Sequence, residues 1–260
     1  MPTQPQVRTE REGAILWITI DRPQAMNSLN AQAHRELHEA LDAFTAAPDL
    51  HVAVITGAGD KAFCVGSDLK ERAIKNADDH PPTGFGGISH RFGLLKPVIA
   101  AVNGLAIGGG VEIIAACDLA IAADHVEFAL PEPRVGLAAL GGGGLQRLAR
   151  NMPLKQAMDL ILTGRRIKAS EAKAMGLIND VVPKEQLRER VRWYANQILE
   201  GAPLAIQASK QVMIESLSEP DLEKALRRKY SAAERMLLSD DAKEGQKAFA
   251  EKRKPKWQGK

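Results

Sequence analysis

Cysteine is scarce in this chain: Cys64 and Cys117 are the only two among 260 residues. Two thiols cannot build a disulfide framework. One bridge is the most they allow, and free thiols in a reducing cytoplasm are the expectation. Aromatic residues make up 4% of the chain, too few for the stacked platforms on which single-stranded nucleic acids lie. The formal net charge is +3, so no strong basic field marks a nucleic-acid partner. No apolar run reaches the roughly 20 residues of a membrane span. The opening "MPTQPQVRTEREG" lacks an apolar signal core. Metal-ligand spacing, internal repeats and low-complexity linkers are also missing. What is present is 45% hydrophobic residues. That is enough for a sizeable core in one large domain, or one domain with an extension.

Strands and helices alternate through about residue 135. "GAILWITIDRP" (13–23) is predicted as a strand ended by a turn. "SLNAQAHRELHEALDAF" then places Leu29, Ala33, Leu37, Ala40, Leu41 and Phe44 on one helical face. "HVAVITGAG", "KPVIAAVNG" and "DLAIAAD" are predicted as strands, the continuous apolar runs of strands covered on both sides. "GGVEIIAAC" is predicted as a short helix between the last two. This order indicates a layered α/β core over 1–183. Pro153 and Gly164 bracket one further helix and Gly176 stops another, before a short strand in "NDVVP". From Lys184 onward the chain is predicted helical almost to its end: 184–200, 203–218 and 221 to about 252. This part, 184–260, is expected to serve packing or assembly. "NADDHPPTGFGGISHR" (76–91) is the loosest segment and is predicted as a mobile loop.

Two stretches break local rules. "LAIGGGVE" (105–112) puts three glycines before a helix, at about 1 kcal/mol each relative to alanine, and then a carboxylate in an apolar run. "GAGDKAFCVGSDLKE" (57–71) empties a buried strand into glycines, with a helix expected to begin near Ser67–Asp68. Helix starts carry unpaired N–H groups and partial positive charge. Two such turns could aim two amides at one oxygen, an oxyanion arrangement in which each donor is commonly worth about 10²–10³ in rate. The plainer alternatives are a tight strand-to-helix turn and a helix capped by Ser67 or Asp68. Glu112 could interact with its helix N-terminus, and Glu132, in "FALPEPRVGL", could be a surface group on a stiff loop. Alternatively both converge at one edge of the core, where two carboxylates can serve as general acid and general base.

"GDKAFCVGSDLKE", "KPVIAAVNGLAIGGGVEIIAACDLAIAAD", "FALPEPRVGL" and "GGGGLQRLAR" together resemble the signature blocks of the crotonase (enoyl-CoA hydratase/isomerase) superfamily. The resemblance runs from "LWITIDRPQAMNSL" to "EGQKAFAEKRKPKW". It implies a crotonase-like spiral of ββα units with a helical C-terminal region that builds trimers, often paired into hexamers. It also implies an acyl-coenzyme A thioester as ligand, gripped by the backbone N–H groups of Ser67 and Gly109. Glu112 and Glu132 match the two glutamates of family members that hydrate enoyl thioesters. Glu132 is then matched to exchange of the Cα proton, and Glu112 to orienting or deprotonating the water. Such chemistry needs no metal and no redox cofactor.

The resemblance further implies coenzyme A along Ser67, Asp68, Leu69 and Lys70, with Lys61, Ala62 and Phe63 near its adenine. Arg22 and Lys70 would meet phosphates, and Phe249 and Lys252 would reach the coenzyme A of a neighbouring subunit. The alternative for these basic residues is a solvated surface. The sequence departs from the family at Ser67, where alanine is frequent. It departs again at "AALGGGGLQRL", which replaces a proline-glycine-alanine-glycine-glycine-threonine pattern and alters the pocket wall. "PPTGFGGISHRF", "LPEPRVGL" and "EKRKPKW" resemble proteins labelled carnitinyl-CoA dehydratase. Two other functions compete with hydration or dehydration: double-bond isomerisation through one carboxylate, and RNA binding on a crotonase-type fold.

Overall fold

The computed structural model describes residues 4–69 and 80–260. Strands β1 (Val7–Glu12) and β2 (Ile15–Ile20) form an antiparallel hairpin whose tight turn uses Gly13 at φ +59°. From β2 the sheet continues in parallel through β3 (Val52–Gly57), β5 (Val98–Val102), β7 (Leu119–Ala123) and β10 (Asp180–Val182). A second sheet has the order β4 (Ala62–Cys64), β6 (Leu105–Ile107), β8 (Glu127–Ala129) and β9 (Ile167–Lys168). Its first three strands are parallel and β9 is antiparallel. The pairs β3/β4, β5/β6 and β7/β8 therefore each give one strand to each sheet. This is the spiral of strand pairs that the resemblance implies.

The core follows from the apolar runs. Every residue of β5, "VIAAV", is buried, and so is nearly all of β3 and β7. Helix Leu187–Leu199 covers β5 and β7 on one side. Helix Ala31–Ala46 turns Ala33, Leu37, Leu41 and Phe44 inward as its 3.6-residue period requires. Its N-terminus is capped by Asn30, whose Oδ1 accepts from the Ala33 N–H at 3.0 Å. Both cysteines are free. No helix among the described residues is long and apolar enough to cross a membrane.

Three local expectations change, and one strand is added. The polar stretch Val7–Glu12 is an edge strand, which its solvent-facing charges hid. Leu29 lies before the helix and instead bridges Ser67. The helix expected over 221–252 is three: Leu222–Arg227, Ser231–Leu238 and Asp240–Ala250. The last break falls at Ser239, which is extended at φ −72°, ψ 156°, and caps the final helix through Oγ to the Ala242 N–H at 3.0 Å. Residues 76–79 of the expected mobile loop lie outside the described residues. The stretch 84–89 is packed, not loose. Phe85, Gly86, Gly87, Ile88 and Ser89 are buried, and a Cβ on Gly87 would come within 2.6 Å of the His38 backbone.

Candidate active site

Strand register builds the site. β4, β6 and β8 lie side by side in parallel, with Cys64 paired to Ala106 and Ile107 paired to Ala129. The segments that leave their C-terminal ends therefore emerge along one edge. Those segments are 65–68, 108–112 and 130–132. They carry Ser67, Gly109, Glu112 and Glu132, so all four sequence-predicted residues meet at one place.

Close contacts explain each of the three glycines. Gly108 has φ +55°, and a Cβ there would fall 2.7 Å from Oε1 of Glu132. A Cβ on Gly109 would fall 2.3 Å from Cζ of Phe85, and one on Gly110 would fall 2.0 Å from the Cys64 carbonyl oxygen. The backbone here is hemmed in by a carboxylate, an aromatic ring and a neighbouring strand. Helix Gly109–Ala116 starts at this point, and the amide of its first residue has no acceptor within the helix.

The first turn approaches the second closely. A Cβ on Gly66 would lie 3.2 Å from the Gly109 nitrogen. Leu29 donates to the Gly66 carbonyl and accepts from the Asp68 N–H, both at 2.8 Å. In a parallel bridge of this kind the central residue, Ser67, turns its own N–H to the opposite side.

Glu112 is only 3% exposed. Its Oε1 accepts the Gly144 N–H at 2.9 Å. Burial pushes its carboxyl above the usual 4.5, while the Gly144 and Gly142 amides and the nearby His90 oppose that rise. Cβ atoms on Gly142 or Gly144 would lie 2.5 or 3.0 Å from the Glu112 side chain. The "GGGG" run that departs from the family pattern is thus the cradle of this glutamate, a role that sequence reasoning missed. Glu132 sits at the start of a short 3-10 turn, Glu132–Val135, behind Pro131. Its Oε2 is buried without a hydrogen-bond partner. Burial again raises the carboxyl, and the charge of Glu112 adds to the rise. The two acids therefore interact electrostatically, as a coupled pair does.

Other predicted positions fall as follows. Arg22 is 9% exposed. Its guanidinium donates to Asp68 Oδ2 at 2.8 Å and to the Ser28 carbonyl. It braces the Ser67–Asp68 turn instead of standing open to a phosphate. Ala62 and Phe63 are buried, backbone included, so of these three only the exposed Lys61 stands open to a ligand. Leu69 and Phe249 are exposed. Lys252 follows the last helix in a left-handed conformation at φ 54°. Lys70 lies outside the described residues.

The enoyl-CoA hydratase/isomerase family model matches residues 10–260. The chain belongs to this family. A carnitinyl-CoA dehydratase of Salmonella arizonae is 43% identical over 259 residues, 97% of this chain and 98% of that protein. One from Escherichia coli K12 is 44% identical over 255 residues, 96% and 97% of the two chains. Among solved structures, an enoyl-CoA hydratase of Mycobacterium tuberculosis H37Rv superposes with a TM-score of 0.93 at 38% identity, covering 99% of this chain and all of that one. As an enoyl-CoA hydratase/isomerase family member, this chain keeps the two-sheet fold end to end.

Proposed function

We propose that this protein is a hydro-lyase that adds water across the Cα=Cβ bond of an enoyl-CoA thioester, or removes it from the 3-hydroxyacyl-CoA. The observation that carries this is the meeting of two glutamates and two glycine-turn amides at one edge of the β4–β6–β8 sheet. The Ser67 and Gly109 amides hold the thioester oxygen and stabilise the enolate that forms there. Withdrawal of charge onto that oxygen makes Cβ electrophilic.

Two close carboxylates repel each other's charge, so the one less able to hold a charge keeps its proton more readily. Glu112 has the Gly142 and Gly144 amides to stabilise its charge. Glu132 has only its own backbone amide to stabilise a charge, with a partnerless buried oxygen and the Glu112 charge beside it. This asymmetry makes Glu112 the base that takes a proton from water as its oxygen bonds to Cβ. Glu132 is then the acid that delivers its proton to Cα. The same path reversed is dehydration. Every proton and electron pair in this scheme moves between water, substrate and the two side chains, so no metal or redox cofactor is required.

The acyl group we favour is carnitinyl, on the strength of the dehydratase relatives. Coenzyme A would run along Ser67–Lys70, past Lys61. The protein would assemble through its helical C-terminal region, 184–260, as a trimer or pair of trimers. Met213, Leu217, Leu222, Leu226, Leu237 and Leu238 are all exposed there in the single chain. Phe249 and Lys252 would then reach a neighbour's coenzyme A. A reducing cytoplasm suits the two free thiols. Incubation with carnitinyl-CoA and a panel of straight-chain enoyl- and 3-hydroxyacyl-CoAs, with enoyl-thioester absorbance as readout, tests the proposal. Turnover of at least one pair is expected, and none with any of them would reject it.

A further inference from the structure

The buried side of the site holds a histidine that the reaction does not use. His34 lies on the inward face of helix Ala31–Ala46 and is 3% exposed. A polar ring among Ala33, Leu37 and Leu41 is costly unless it is satisfied. It is satisfied by the Gly86 N–H, which donates to His34 Nδ1 at 3.0 Å. That bond requires a neutral ring with its hydrogen on Nε2. Burial, with His80 adding to it, brings the His34 pKa down to about 3, so the ring remains a neutral acceptor throughout the physiological range.

The residue before Gly86 is Phe85. Its ring stands edge-on to His34, with centroids 4.6 Å apart and planes at 76°. Its far edge fills the space over Gly109, where even a methyl group would come within 2.3 Å. The turn between them is fixed by glycines that no other residue replaces without strain. Gly86 is at φ +63° with Ile113 beneath it, and Gly87 is at φ +67° against the His38 backbone. A continuous packed path therefore runs from His34, through the Gly86 amide and the Phe85 ring, to the peptide at Gly109.

We infer that His34 and Phe85 are positioning residues that fix the direction of the Gly109 N–H toward the thioester oxygen. A leucine in place of His34 would pack, but it would leave the Gly86 N–H buried without an acceptor. The Phe85–Gly87 turn would then shift to find one. The inference rests on the proposal that Gly109 is a carbonyl donor, and the test separates the two.

The measurement is isotope-edited infrared difference spectroscopy of an acyl-CoA carrying ¹³C at its carbonyl, bound to the wild type and to variants, alongside kcat and KM. In the wild type the carbonyl stretch should move to lower wavenumber on binding. In His34→Ala and Phe85→Leu that displacement should shrink. Their kcat should fall roughly tenfold, a part of the 10²–10³ lost when such a donor is removed outright, with KM little changed. His34→Asn, whose Oδ1 can stand in for Nδ1, should regain most of both. Leu41→Ala on the same helix should lower Tm yet leave the carbonyl displacement at the wild-type value. If His34→Ala proves too unstable, Phe85→Leu and His34→Asn carry the comparison. Variants with wild-type displacement and wild-type kcat overturn the inference while the donor proposal stands. A wild type with no displacement overturns both.

Discussion

Glu112 and Glu132 are both pushed above the ordinary carboxyl value of 4.5, first by burial. Two consequences follow at the scale of the residue. The acid limb of kcat against pH should have its midpoint above 4.5, because the base must ionise inside the folded site; a midpoint at or below 4.5 would contradict the assignment. Stability moves in the opposite sense. In the unfolded chain these groups ionise near 4.5, so the folded state holds the extra protons above that pH. The stability they contribute is complete below about 4.5 and is lost as pH rises through the raised values. Glu132→Gln should therefore match the wild type in Tm near pH 4 and exceed it at pH 8, as differential scanning fluorimetry can show. In the same variant, turnover should fall by roughly 10²–10⁴, and likewise in Glu112→Gln.

At the scale of the element, glycine turns and one cap do most of the placing. Gly110→Ala would drive a methyl to 2.0 Å from the Cys64 carbonyl, a backbone atom that cannot swing aside. Overpacking of this kind costs about 1–3 kcal/mol or more, so a clear fall in denaturation midpoint is expected together with loss of activity. Asn30→Ala removes the cap of the helix that begins just after Leu29, the residue that bridges Ser67. It should cost about 1 kcal/mol in urea unfolding.

Local sequence marked the glycines at 108–110 by their cost but left open a crowded turn or an anion site, and the contacts they make give the reason. The convergence of Ser67, Gly109, Glu112 and Glu132 was expected from the family resemblance, and strand register, which no single segment carries, is what builds it. The cradle at Gly142 and Gly144 was hidden because a run of four glycines reads as a loop until the side chain it accommodates is known. His34 fits the apolar face of its helix so well that periodicity alone passes over it. The turn at Phe85–Gly87 looked mobile for the reason that lets it pack: left-handed glycines bring its backbone against Leu37 and His38.

At the scale of the molecule, apolar runs alternating with helices pointed to a layered α/β core, and the spiral connection was implied by the family resemblance. The C-terminal half was harder to read. Its helix breaks at Arg228–Tyr230 and Ser239 depend on caps and on a buried Tyr230, whose hydroxyl donates to the Ala225 carbonyl at 3.0 Å. Met213, Leu217, Leu222, Leu226, Leu237 and Leu238 are exposed in the single chain, and the proposed assembly through 184–260 would cover them. Analytical ultracentrifugation should find a trimer or hexamer, and Leu226→Asp with Leu238→Asp should shift it toward smaller species. A wild type that sediments as a monomer would remove the assembly proposal.

The central claim is that water is the second reactant, held between two acids beside a gripped carbonyl. Turnover of an enoyl-CoA substrate in ¹⁸O-labelled water, followed by mass spectrometry of the product, tests it most directly. One ¹⁸O on Cβ is predicted, with the label lost in the Glu112→Gln, Glu132→Gln double variant. An unlabelled product with its double bond moved would contradict the account.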